Sequence, residues 1–233
     1  MAALPSPAVA ILALLGLAGA LAVRPMAAPG PQPADRLHQA AVKALAAGKL
    51  LVAARRLPDP NFGNAVILLA DFNREGAVGL VVNRQSEVSV ARVFPHLTPA
   101  PASAGQAFLG GPVDKTRAMA LVRASAVPAG ARHVFDGVYL LTGKEAVESA
   151  VTSQAAAGRL RIYLGYSGWG PGQLEAETAE GVWHVLGGDA DAVFDPDPAS
   201  TWQRQIARTE LIQARVVEPV RRPPGLPSPG VWW

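Results

Sequence analysis

The stretch Tyr163–Glu177, YLGYSGWGPGQLEAE, sets a serine, large aromatic residues and a run of glycines just ahead of acidic residues. Three chemistries could use such a set. A nucleophile elbow needs G-x-S-x-G, with the serine on a strained strand-to-helix turn. Gly165-Tyr166-Ser167-Gly168-Trp169 puts a tryptophan at the fifth position, where its bulk opposes that turn. A dinucleotide fingerprint needs G-x-G-x-x-G; Gly168-Trp169-Gly170 begins one, but Gln173 stands where the third glycine should be. An anion site at a helix N-terminus would use free backbone N–H groups. Here Glu175, Glu177 and Glu180 already supply negative charge and would repel a phosphate. A plainer reading makes Pro171 the first helical residue, lets the glycines supply positive φ or close backbone approach, and packs Tyr166 and Trp169 as core.

The remaining reactive side chains form no complete catalytic set. His38, His96, His133 and His184 lie in unrelated contexts without metal-ligand spacing. Asp189, Asp191, Asp195 and Asp197 lack the glycine and bidentate glutamate of a calcium loop, and turn chemistry accounts for them. Glu175 and Glu177 would point to different sides of a helix, which makes a poor acid–base pair. Asp59-Pro60 and Asn83-Arg84 are polar residues at strand ends, where binding groups and turn-makers both occur. The absence of cysteine removes disulfides, thiolate metal sites and cysteine nucleophiles together.

The elements that must position these residues alternate irregularly. A helix capped by Asp35 carries Leu37, Ala41, Ala44 and Leu45 on one stripe and ends at Gly48. Strands are expected at 49–57, 64–72 and 77–84, the last two joined by a hairpin turn at Asn73–Gly76. Ser86–Phe94 reads as a short helix, and 106–111 with 117–125 as a hairpin around GPVDKT. A strand at 136–143, a helix over 144–158, a strand at 159–166, a short helix, a strand at 182–186 and a final helix near 199–209 complete the order. Several hairpins and no regular βαβ series predict an α+β fold, one compact domain over 35–215 with a mixed, largely antiparallel sheet and flanking short helices.

The ends differ in character from this core. Residues 8–23 are uncharged, contain Ala18-Gly19-Ala20 as a small-residue cleavage site and precede Arg24, which resembles a signal peptide or membrane anchor over 1–23. The Pro-rich run 24–34 reads as a linker, and 216–233 as a disordered Pro-rich tail. An exported, periplasmic or membrane-anchored product is expected, with a cytoplasmic one as the alternative. The formal charge of +3 sits in these ends, because Lys49–Arg215 holds 16 basic and 16 acidic residues. The core therefore lacks the net basic footprint of a nucleic-acid binder.

Four ordered blocks carry a resemblance: DPNFGNAV with GAVGLVVNR, then FLGGPV with Arg117, then LGYSGWGPGQLEAE, and the closing FDPDPASTW. Together they resemble the YqgE/AlgH family over about Lys49 to Arg208. The resemblance implies a bacterial protein with one α+β domain, of a family largely uncharacterised in function and carrying an inherited label as transcriptional regulators. It points to Asp59, Pro60, Phe62, Gly76, Gly79, Asn83, Arg84, Gly110, Gly111, Pro112, Arg117, Gly165, Tyr166, Trp169, Gln173, Leu174 and Glu177 as positions of interest. The chain departs from the family pattern at Ala65, Phe72, Gln85, Thr116 and Val122. At these positions the family commonly has a hydroxyl, an imidazole, a proline, a carboxylate and a second imidazole.

Keeping glycines and aromatics while losing reactive side chains predicts a non-catalytic ligand- or protein-binding module, regulatory in role. Its candidate binding residues are Asp59, Pro60, Phe62, Asn83, Arg84, Gly110, Gly111, Arg117, Tyr166, Trp169, Gln173 and Glu177. No catalytic residue, metal or cofactor is assigned. The expected partner is an unknown protein or small molecule, with membrane association through residues 8–23 and no nucleic acid. The alternatives are a transcriptional regulator and a hydrolase using Ser167.

Overall fold

Residues 66–70 are Val-Ile-Leu-Leu-Ala, and every one of them is buried. A strand apolar on both sides needs cover on both faces, and this requirement organises the chain. In the computed structural model, which describes residues 32–97, 105–153 and 159–217, that strand lies inside a curled sheet with helices outside it. The expected signal or anchor, most of the expected linker and most of the expected tail lie outside the described residues.

The elements in chain order are α1 (Pro33–Lys43), β1 (Leu50–Ala53), β2 (Val66–Asn73), β3 (Gly76–Val81), β4 (Gln85–Ser89), α2 (Val90–Val93) and β5 (Gln106–Leu109). There follow β6 (Val113–Arg123), β7 (Arg132–Phe135), β8 (Val138–Leu141), α3 (Lys144–Thr152) and β9 (Leu160–Trp169). Last come α4 (Gln173–Ala179), β10 (Trp183–Leu186), α5 (Ala190–Val193) and α6 (Thr201–Val217). The main strand order is β10-β1-β2-β3-β9-β6-β8-β7, with β5 set between β4 and β9. The β5–β9 pairing is parallel and the others are antiparallel, so the mixed, largely antiparallel α+β fold is as expected.

Alternation along the strands sorts the apolar residues into three cores. Leu50, Leu68, Leu80, Leu121, Leu140 and Tyr163 face the inside of the curl. Leu51, Ile67, Val81 and Trp169 face outward and are covered with Leu174 of α4. Ala120, Leu141 and Ile162 face outward at the other end of the sheet, under Val90, Val147 and Val151 of α2 and α3. The two ends of the strand order approach each other. A Cβ on Gly48, just before β1, would sit 2.9 Å from Phe135 Cβ in β7. Val193, Phe194, Trp202 and Ile206, on and beside α5 and α6, plug one end of the curl. There the Trp202 indole donates to Ala53 O at 2.9 Å. Beside the plug, buried Arg161 donates to Val82 O at 3.0 Å and to Asp195 O, with its guanidinium 4.4 Å from the Phe108 ring centre.

Several local expectations change. Residues 85–89 form a strand rather than the first turns of a helix, because β4 pairs with β5 and the Ser89 hydroxyl caps a helix of only four residues. The expected hairpin between 106–111 and 117–125 does not exist. β5 pairs parallel with β9, and β6 runs unbroken through DKT to pair with β8 and β9. β7 has no counterpart among the expected strands. The first strand stops at Ala53, short of 57. Asp35 does reach back to the N-cap backbone, but as the third helical residue of a capping box with Gln32. The end expected for α3 at Gly158 lies outside the described residues.

β9 is the strand on which the sheet turns. Along one edge β9 pairs with β6 at 160–164 and again at Tyr166; along the other, 163–164 pair with β5 and 167–169 with β3. Gly165 between them has φ +71, a left-handed value that lets the strand change partners. Gly110 lies against this bend, donating to Leu164 O at 2.9 Å and accepting from Val81 N at 2.9 Å. A Cβ on Gly110 would lie 2.3 Å from Gly165 O. Gly110→Ala is therefore expected to cost roughly 3 kcal/mol or to prevent folding, whereas Gly187→Ala, at a position with nothing within 4 Å, stays within about 0.5 kcal/mol of the parent. Urea denaturation of both variants checks this.

Candidate functional site

Most of the expected site residues are engaged in holding the fold. Asp59 Oδ1 accepts from Asn61 N at 2.7 Å and Phe62 N at 2.9 Å, which closes the DPNF turn with Pro60 exposed at its surface. Arg84 donates to Asn61 O and, at 2.9 Å, to Gly63 O. Asn83 accepts from Val66 N at 2.8 Å and donates to Asn64 O at 2.9 Å. Burial lowers the Arg84 pKa from its ordinary value, and the charge of Asp59 opposes this. The pinned turn aims Phe62 at two indoles, with ring centres 6.2 Å from Trp169 and 5.8 Å from Trp183.

The glycine-rich stretch is strand through Trp169, followed by a short turn and then α4. Helical backbone begins at Gln173, after Gly172 in the left-handed region, and not at Pro171. One carboxylate ties this stretch together. Glu177 Oε2 accepts from the Trp169 indole at 2.9 Å and the Trp183 indole at 2.8 Å, while Oε1 accepts from Gln173 at 2.9 Å. Gln173 in turn accepts from Gly170 N at 3.1 Å. Trp169 is core, as expected, and Tyr166 is half-buried against the inner core. Ser167 is fully buried, and its hydroxyl donates to Gly110 O at 3.2 Å. No imidazole is among its hydrogen-bond partners within the described residues.

Two site residues behave differently. The side chains of Arg117 and Tyr166 have no hydrogen bond or ion pair among the described residues, and both line one depression of about 280 Å³. Its floor is Val78, Met119 and Leu140, and its rim adds Thr142, Asp71 and Arg132. The floor residues are inward-facing positions of β3, β6 and β8 at the edge of the inner core, toward the end away from α6. The depression is thus the open mouth of the curl, a place where barrels and curled sheets commonly hold ligands. Asp71 and Arg132 face each other across it at 4.0 Å. Neither was among the expected site residues. Asp71 follows a register shift in β2, and β7 was unexpected, so alternation alone could not bring the two together.

Two larger depressions lie elsewhere. One, of about 330 Å³, shares Arg117 and Thr142 with the mouth and adds Lys144 and the His96–Glu148 pair, 2.8 Å apart. The other, of about 320 Å³, is an apolar groove between α1, β10 and α6 that contains His38 and His184. His184 Nδ1 meets Gln213 Nε2 at 3.1 Å, which suits a neutral ring accepting from the amide. Burial, then the charge of His38, lowers the His184 pKa, and Glu210 opposes this.

The positions that depart from the family pattern are packed or at the surface. Ala65 and Val122 are buried, Phe72 packs on the outer core, Gln85 is exposed, and the Thr116 hydroxyl donates to Asp114 at 2.9 Å. Among the described residues, no group of three His, Cys, Asp or Glu side chains is placed to hold a metal ion. Within the same residues, no helix is long and apolar enough to cross a membrane.

Fold and site together define a curled-sheet α+β domain, plugged at one end and open at an arginine-bearing mouth. Residues 50–212 match the AlgH-like family model, DUF179, and the chain belongs to that family. A UPF0301 protein of Streptomyces avermitilis is 39% identical over 167 residues, covering 69% of this chain and 85% of the relative. One from Mycobacterium tuberculosis is 36% identical over 191 residues, covering 80% of this chain and 93% of its own length. The solution structure of the AlgH protein from Pseudomonas aeruginosa aligns with TM-score 0.57 at 28% identity, over 75% of this chain and 94% of that one. The crystal structure of protein DIP2367 from Corynebacterium diphtheriae shares the fold with TM-score 0.62 at 22% identity, covering 75% of this chain and 92% of that one.

Two outcomes test these assignments. Glu177→Ala strands two indole N–H donors, each costing about 1–3 kcal/mol when left unpaired in the interior. A loss of roughly 3 kcal/mol in denaturation, with a red shift of tryptophan emission, is expected, and a neutral result would remove Glu177 from its structural role. For His184, a folded-state pKa below the ordinary 6.5 means that the unfolded chain takes up the proton first as pH falls. Stability contributed by the neutral ring is present above pH 6.5 and declines below it. The drop in denaturation midpoint between about pH 7 and about pH 5 should therefore be smaller in His184→Gln than in the parent.

Proposed function

We propose that the chain is a non-catalytic binding module whose ligand seat is the open mouth of the curled sheet. One observation carries this reading. Of the polar side chains at the family-motif positions, Asp59, Asn83, Arg84, Trp169, Gln173 and Glu177 are all hydrogen-bonded within the fold. The two that are not, Arg117 and Tyr166, line the same depression. Structural needs account for the first set and leave the second unexplained. Binding is the role that an unpartnered arginine and phenol over an apolar floor can perform.

A hydrolase reading needs an exposed nucleophile beside a base, and the buried Ser167 hydroxyl bonded to a carbonyl does not support it. A nucleic-acid role gains no support from a core with balanced charge. Regulation by the bound ligand or by a protein partner is the wider role proposed here.

The full chain, isotope-labelled, should show amide shifts at Val78, Met119, Leu140 and Tyr166 with some members of a small-fragment library. A fluorophosphonate probe should leave Ser167 unlabelled. A library that perturbs other surfaces and never the mouth would overturn the proposal, and stoichiometric labelling of Ser167 would do so independently.

A further inference from the structure

We infer that the mouth is built for a small organic anion with an apolar body, a carboxylate head on Arg117 and an aliphatic tail on the floor. The inference rests on the reading of the mouth as a ligand seat and adds the chemical class of the ligand.

Charge around the mouth points to the anion. Its ionisable rim consists of Arg117, Arg132 and Asp71. Asp71 already faces Arg132 at 4.0 Å, so the guanidinium left without a counter-charge is that of Arg117. The neighbouring depression shares Arg117 and adds Lys144 and Glu148, so the two together hold three cations, Arg117, Arg132 and Lys144, against two carboxylates, Asp71 and Glu148. The described domain is close to neutral over its length, yet this edge of it holds a local cationic surplus. A planar guanidinium fork matches a carboxylate in bidentate geometry. The hydroxyls of Tyr166 and Thr142 on the same rim can donate to the same head group.

The floor points to the tail. Met119 and Leu140 are the last residues of the inner core at this end, and half-buried Val78 carries the inward row of β3 one step further. A hydrated inorganic anion would leave this apolar surface wet. A short acyl chain covers the exposed part of Val78 and the edges of Met119 and Leu140, and removes that apolar area from water. Methionine adapts its shape to chains of different length, which suits a class of ligands more than a single one. The open mouth leaves part of any ligand in solvent, so ionic strength weakens the head-group contact.

Titration of the full chain with hexanoate, hexanamide and acetate, followed by amide shifts at the mouth, tests the inference. Hexanoate should bind about tenfold or more tightly than hexanamide, as one charge-assisted contact allows, and also more tightly than acetate. Raising the salt should shrink its advantage. Arg117→Gln, at an exposed position, should leave the denaturation midpoint unchanged and bring hexanoate down to the level of hexanamide. Equal binding of hexanoate and hexanamide at the mouth overturns the anion inference but leaves the ligand seat standing. Equal binding of acetate and hexanoate overturns the apolar body. A hexanoate preference that survives Arg117→Gln overturns the assigned head-group site. Mouth amides that respond to none of the three probes overturn this inference, and the reading beneath it falls as well only if the fragment library also leaves them unmoved.

Discussion

The structure depends on two backbones passing closer than any side chain would permit. Where one edge of β9 passes from β5 to β3, Gly110 lies against Gly165 with no room for a Cβ, and its carbonyl accepts from both Val81 N and the Ser167 hydroxyl. This contact is what lets one strand serve two parts of the sheet. Without it β5 and β3 could not follow one another along the same edge of β9, and the inner core of Leu68, Leu121 and Tyr163 would have no closed wall. The serine that invites a catalytic reading is here a buried hydroxyl satisfying a carbonyl at the bend. Burial without such a partner would be costly, so its hydrogen bond is a sufficient reason for a serine at this position.

A second constraint acts from outside the curl. Trp169 and Trp183 bring large apolar surface to the outer core, but each carries an N–H that needs an acceptor once buried. Glu177 serves both, and Gln173 holds Glu177. The turn at Asp59 adds Phe62 to the same aromatic group, and Asn83 and Arg84 lock that turn to the end of β3. Residues more than a hundred positions apart thus form one hydrogen-bonded and aromatic assembly. Polar residues of a strongly marked motif need not be reactive when each has a named structural partner.

The legible and illegible parts of the sequence divide along physical lines. β2, β3 and their turn were readable because a continuous apolar run and a short polar connection are local signals. The helix at 144–152 was readable from the spacing of Val147 and Val151. The β5–β9 pairing was not, since nothing near 106–109 records that a parallel partner lies some fifty residues downstream. The short β4 carries alternating exposed and half-buried residues that also fit a helix, and only pairing with β5 decides the matter. In the site, Arg117 and Tyr166 were found by motif, while Asp71 and Arg132 were missed. One follows a bulge that shifts its facing, and the other sits on an edge strand whose short pattern HVF is too brief to read.

The mouth itself follows from the same geometry that makes the core. A curled sheet has two ends, and this chain has one plug, built from Phe194, Trp202 and Ile206 around α5 and α6. The inward rows of β3, β6 and β8 do not stop where that core stops. They continue to Val78, Arg117 and Thr142, so an apolar floor with a polar rim is the unavoidable product of strands longer than their plug. A chain selected for stability alone would fill that end with aliphatic side chains or cover it with another helix. Placing an arginine there, with no carboxylate partner among the described residues, leaves a charge to be satisfied from solution. The distinction between a stabilising residue and a binding residue in this domain is therefore one of accounting. The first kind finds its partner inside the fold, and the second must find it outside.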